Sequence, residues 1–231
     1  LPLGRLLALI VGFDGRPVES LPGLFGWLAV HHGRDRPRLM NLDPIGVVLN
    51  GDVAAFSTSE RLELLKALSS AAREDKGFRR DAWVSHPFGA LATADMTSTY
   101  DTWVRVPDRD DAHQAFMDCV LDALRHGEKM HLLVPGLETW VEDGDAWVGN
   151  RLAAYEAWKH NSDFQPSKAR QWLEQVAAGT IPDKDDRLTS LLLADLYPVH
   201  LGPTEVLNFL HPASNQNLIA EYSNFWRREL L

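Results

Sequence analysis

The chain has 231 residues, 45% hydrophobic and 24% charged, with 23 Lys and Arg against 32 Asp and Glu. That length is room for one large domain or two small ones, burying roughly 70–75% of the unfolded surface, and a net charge of −9 excludes a nucleic-acid binder that lacks a local basic patch. No such patch is present, because Arg79-Arg80 and Arg227-Arg228 are isolated pairs, and no apolar run approaches the roughly 20 residues of a membrane span.

The single cysteine, Cys119, excludes an internal disulfide and fits a reducing compartment, so a cytoplasmic location is expected. No secretory leader is legible. The sequence opens at Leu1 without an initiator Met and ends at Leu231 inside an amphipathic run with no Gly, Asn or Pro to stop it. We expect a fragment excised from a longer protein rather than a trimmed precursor.

In chain order, Leu6 to Val11 makes a short apolar stretch, and Leu24, Leu28 and His31 make a helical stripe. Gly46 to Phe56 (GVVLNGDVAAF) reads either as a hairpin turning at Asn50-Gly51 or as a short helix. The helix is favoured, with Asp43 as its cap, Pro44 at its first position and Gly51 at its end. Ser57 to Glu60 (STSE) is a capping box, followed by Leu62, Leu65, Leu68 and Ala72 on one face. Glu74 to Tyr100 has no clear period and holds a loop or small helices around His86–Ala92 and Ala94–Tyr100.

VPDRDDAHQAFMDCVLDAL (Val106 to Leu124) and IPDKDDRLTSLLLADLY (Ile181 to Tyr197) echo each other, offset by about 75 residues. Asp108 and Asp183 sit where an N-cap belongs, and Asp110, Asp111, Asp185 and Asp186 fall in the first turn, facing the positive end of the helix dipole. Pro107 and Pro182 sharpen the boundary. Phe116, Val120, Ala123 and Leu124, with Met117 and Leu121 beside them, then form one apolar stripe, and Leu188, Leu191, Leu192 and Leu196 the other.

Val148, Leu152 and Tyr155 are spaced by four and three. Pro166 lies near a helix start, Ala169, Trp172, Leu173, Val176 and Ala177 repeat at the helical interval, and Gly179 closes that helix. Pro203 opens a short helix through Val206, Leu207 and Leu210. The last helix carries Leu218, Ile219, Tyr222, Phe225, Trp226 and Leu230. An offset of about 75 fits two units of about 37, near HEAT-type length. The expected fold is all-α, a right-handed α-solenoid of stacked HEAT/ARM-like helical hairpins. It would span residues 1–231 as a single helical-repeat domain, with a possible division into N-terminal helices (1–80) and HEAT-like repeats (81–231).

Chemistry is hard to find. Gly46 to Val53 has the glycine spacing of a phosphate loop, but Asp52 and Val53 occupy the places that require Lys and Ser or Thr. His31-His32 with Asp35 suggests a partial metal site, yet adjacent histidines point apart. Asp108, Asp110, Asp111 and His113 are close in sequence but lack the central Gly and closing Glu of a calcium loop. His126, His160, His200 and His211 sit near predicted helix ends, where the dipole accounts for them. Cys119 lies beside an apolar stripe and reads as a packed thiol. Ser57, Ser59, Ser69 and Ser70 lack a nucleophile-elbow context. No catalytic, cofactor-binding or metal-ligating residue is assigned. Trp140, Trp147, Trp158 and Trp172 read as helix packing, with exposed anchors on a binding face as the alternative.

LFGWLAVHHGRDRPRLMNLDPIGVVLNGDVAAFSTSERLELLKAL (Leu24 to Leu68) resembles a segment of large bacterial NACHT-type (STAND) NTPases, where it follows the nucleotide-binding core and its winged-helix module. SHPFGALATADM (Ser85 to Met96), LYPVHLGPTEVLNFLHP (Leu196 to Pro212) and NLIAEYSNFWRREL (Asn217 to Leu230) resemble the same proteins. The likeness covers most of the chain and consists of cap and packing residues. The family's catalytic motifs lie upstream, so no functional residue carries over. The resemblance implies a non-catalytic array for sensing, autoinhibition or scaffolding, often in phage defence, with protein partners such as its own NTPase core, a trigger or an effector. The rival expectation is an all-α enzyme with a groove site near His86 or the Asp108 acids.

Overall fold

The computed structural model describes residues 3–13, 17–18, 21–79, 86–106, 109–214 and 225. Twelve α-helices run through them, with short 3-10 turns between: α1 (Leu3–Ile10), α2 (Pro22–His31), α3 (Arg36–Leu42), α4 (Pro44–Asn50), α5 (Thr58–Glu74), α6 (Thr97–Val104), α7 (Asp111–His126), α8 (Val134–Glu142), α9 (Val148–Asn161), α10 (Pro166–Ala177), α11 (Arg187–Leu196) and α12 (Pro203–Val206). Among the described residues there is no strand, only one isolated bridge between Val11 and Pro17. The all-α expectation therefore holds. The backbone divides into two compact units, Leu1–Leu132 and Leu133–Leu231.

In the first unit α2, α3, α4 and α5 pack on one another, and α5 packs on α7. Gly26 permits the closest approach: a β-carbon there would strike the backbone of Asn50 and Gly51, so α2 and α4 meet main chain to main chain. The segment Gly46–Phe56 is helix, not hairpin. Asp43 accepts from the Gly46 N–H at 2.8 Å, Pro44 opens α4, and Gly51 donates back to Val47. The capping box is complete: Glu60 N–H donates to Ser57 Oγ while the Ser57 N–H donates to Glu60 Oε2 at 2.7 Å. The aperiodic stretch holds 3-10 turns at His86–Leu91 and Ala94–Met96 and then α6. The turn His86–Leu91 lies against α7, with Gly89 seated on the His126 backbone.

In the second unit α8 packs on α9, α10 on α11, and α9 on α11. Its core is aromatic: Trp140, Tyr155, Trp158 and Trp172 are fully buried, with the Trp158 and Trp172 rings 4.6 Å apart in an edge-on pair. Gly179, at φ +73, ends α10 by donating to Val176, while Thr180 donates to Gln175. The terminal stripe from Leu218 to Leu230 lies outside the described residues apart from Phe225, which is helical and buried against Tyr197.

Both echoed helices form, with starts displaced from the first Asp of each motif. Asp110 caps α7, accepting from the His113 N–H at 2.7 Å; Asp108 lies outside the described residues. Asp183 reaches the first turn of α11, accepting from Leu188 and Thr189 N–H at 3.2 and 2.8 Å. The helix itself begins only at Arg187, because Asp186 adopts the left-handed conformation at φ +57. Two expected stripes are rotated. In α2 the buried residues are Phe25, Gly26, Leu28 and Ala29, whereas Leu24 and His31 are exposed. In α9 the buried face is Ala153, Ala154, Tyr155, Ala157 and Trp158, with Val148 and Leu152 only half-buried.

Candidate functional site

The described side chains that carry chemistry are placed as connectors between helices. The largest such group was not foreseen from sequence. Arg79, in the turn after α5, donates to Asp118 at 2.8 Å and Asp122 at 2.6 Å on α7, and its guanidinium lies 4.2 Å above the Phe88 ring. Burial pushes the Asp118 carboxyl above its ordinary range, and Asp122 adds to this, against the pull of Arg79. Cys119 lies between these two acids in sequence and is fully buried; burial pushes its thiol up despite the opposing pull of Arg79, which leaves no thiolate for nucleophilic attack near neutral pH.

A second group joins α9 to α11. The Tyr155 hydroxyl donates to Asp195 at 2.7 Å, and Lys159 reaches the same carboxylate at 2.9 Å. Tyrosine and lysine four apart on a helix resemble a phenolate-and-ammonium acid–base pair. Here burial first and Asp195 second push the phenol upward, so it serves as a donor only. Arg151, also buried, donates to the Val141 carbonyl at 3.2 and 3.1 Å and to that of Pro182 at 2.6 Å. Lys168 spans Glu138 and Glu142, whose carboxylates accept the Trp158 and Trp172 indole N–H at 3.3 and 2.8 Å. Only the tryptophan recurrence was visible beforehand; the acids that satisfy the indoles were not.

The motifs singled out in sequence do not converge. His31 stacks on Trp27 at 4.5 Å, and His32 forms the C-cap of α2. In the Gly46–Val53 stretch, Gly46 to Asn50 lie inside α4, whose first turn is capped by Asp43, so the backbone is not the open loop that cradles a phosphate. Asp111 pairs with Lys76 at 2.6 Å. His86 and His126 face each other with ring centroids 5.2 Å apart. Among the described residues no group of three or more His, Cys, Asp or Glu is arranged to hold a metal ion, and no helix is long and apolar enough to cross a membrane.

One groove of about 700 Å³ lies in the first unit, lined among others by Pro17, Asn41, Asp43, Glu74, Asp75 and Phe78. Of the three carboxylates among its described lining residues, two are already spent on backbone, Asp43 on Gly46 and Asp75 on Gly77. Of the four tryptophans of the middle third, Trp140, Trp158 and Trp172 are core and Trp147 is 38% exposed. A more exposed indole is Trp27 on α2, at 52%, beside Leu21 at 38% and Leu24 at 41%. No family model, curated protein or solved structure matches the chain.

Proposed function

We propose that this chain is a non-catalytic helical interaction segment, one part of a NACHT-type (STAND) NTPase, serving recognition, autoinhibition or scaffolding through contacts with protein. The observation that carries this reading is the use of its polar chemistry. The Arg79, Arg151, Tyr155, Lys159 and Lys168 side chains are all spent on joining one helix to another, and the thiol and phenol in the core are held protonated by burial. A group that is neutral and packed holds a shape and activates no substrate. The pairing of α8 with α9, α10 with α11 and α9 with α11 supports two helical hairpins stacked through α9 and α11, as an α-solenoid would stack them.

The test is the polypeptide that contains this segment. A Walker-type NTPase core upstream, with hydrolysis that changes when residues 1–231 are deleted, supports the reading. A free-standing 231-residue gene product that turns over substrate, or that binds zinc stoichiometrically, overturns it in favour of an all-α enzyme.

A further inference from the structure

We propose that the outer face of α2 docks an amphipathic helix of a protein partner whose apolar stripe is flanked by carboxylates. The proposal rests on the reading of this chain as an interaction segment. α2 (PGLFGWLAVH) contains no Asp, Glu, Lys or Arg, and it is apolar on every side. A helix of that composition belongs inside a protein, with both faces covered. Only one face is covered here: Phe25, Gly26, Leu28 and Ala29 are buried, with α3 and α4 as neighbours. Leu21, Leu24 and Trp27 are exposed at the three-residue spacing of a single helix face, and His31 extends that face by stacking on Trp27. Gly23 leaves a notch on the same side, since nothing lies within 4 Å of where its β-carbon would be.

Charge selects the partner. From Leu21 to Leu42 the charged residues are Arg34, Arg36 and Arg38 against Asp35, a basic stretch in a chain of net charge −9. Arg36 is turned inward, bonded to the Ala29 and Val30 carbonyls and to Glu60, which fastens α3 to the C-terminal end of α2. Arg34 and Arg38 are exposed, three and seven residues after His31 in sequence. A helix laid along α2 gains burial from the stripe and steering from the two guanidinium groups if it carries acids there. A ten-residue helix is about 15 Å long, too short to supply the roughly 800 Å² per partner of a stable dimer. That argues for one partner helix over a second copy of this chain, and the overall negative charge disfavours an anionic bilayer.

The experiment uses the full chain and two fluorescent synthetic helices of about 18 residues, one with a leucine stripe flanked by glutamates, the other with every glutamate replaced by lysine. Anisotropy titrations should show saturable binding of the glutamate helix and at least tenfold weaker binding of the lysine helix. Leu24→Asp with Trp27→Ala should abolish binding while circular dichroism stays unchanged, because both side chains are exposed. Arg34→Glu with Arg38→Glu should reverse the preference between the two helices. Equal binding of both helices, binding by neither, or binding indifferent to the Leu24 and Trp27 substitutions overturns the proposal. So does concentration-dependent dimerisation abolished by Trp27→Ala, or co-sedimentation with phosphatidylserine vesicles. Failure here leaves the non-catalytic reading standing, since that reading falls only to turnover or stoichiometric metal.

Discussion

Replacing Arg79 with Met tests whether the clasp between α5 and α7 is a net asset. The Arg79 side chain is 10% exposed and that of Asp122 7%, so this pair is largely shielded from water; Asp118 is 40% exposed. Removing the cation leaves Asp122 buried with, among the described residues, the Arg125 guanidinium at 3.4 Å. Breaking a buried pair from one side costs about 3–5 kcal/mol. The exposure of Asp118 and the residual Arg125 contact place this case near the lower figure, about 3 kcal/mol. For a unit of this size roughly 3–5 °C of Tm accompanies each kcal/mol, giving a fall of about 10–15 °C. The loss must also depend on pH. Asp118 already titrates above its ordinary value through burial, and without Arg79 it loses the contact that pulls its carboxyl back down. An acid whose folded pKa exceeds its unfolded one costs stability above that pKa, and the cost disappears as pH falls through it toward the unfolded value. Thermal melts followed by circular dichroism should therefore separate Arg79→Met from the parent widely at pH 7 and much less near pH 4. Adding Asp122→Asn should recover part of the deficit at pH 7. A Tm loss below about 3 °C, or one equal at both pH values, refutes the reasoning.

The Arg151 cage makes a parallel case: Arg151→Ala orphans the Val141 and Pro182 carbonyls and should destabilise the second unit by about 2–5 kcal/mol in urea melts. Ser57→Ala should cost about 1 kcal/mol by loss of the capping box. The Ser57 backbone N–H, working against partial burial, holds the Glu60 carboxyl below its ordinary 4.5; the Glu60 contribution is therefore present above that value and lost as pH falls through the folded pKa, so Glu60→Ala and the parent should converge in acid. Cys119 should resist iodoacetamide in the native chain and react at once in 6 M guanidinium; rapid native labelling would show that the thiol is not buried in solution.

What was legible in the sequence follows from the range of each interaction. Caps act over three residues, so Asp43 with Gly46, Ser57 with Glu60 and Gly179 with Val176 announce themselves and are found where expected. Pro44, Pro166 and Pro203 mark helix starts for an equally local reason, a fixed φ and a missing donor. The first echoed motif points to Asp108, two residues before the true cap, because three acids in four positions offer the same cap to several registers and the backbone chooses Asp110. At the second copy the choice was split, Asp183 supplying the oxygens and Asp186 the chain reversal.

The connectors act over much greater separations. Arg79 meets Asp122 across 43 residues, Tyr155 meets Asp195 across 40, and Arg151 meets Pro182 across 31. No local pattern encodes such pairs, because each partner taken alone is an ordinary polar residue on a helix. α2 fails differently. Periodicity locates a buried face only by contrast with a polar one, and α2 has no polar face to supply it. Its inner surface is marked by Gly26, where the α4 backbone comes too close for any β-carbon. With Phe25, Gly26, Leu28 and Ala29 facing inward, Leu24 and Trp27 are left facing out. The same small residue that brings α2 against α4 thus leaves an indole and two leucines without a covering.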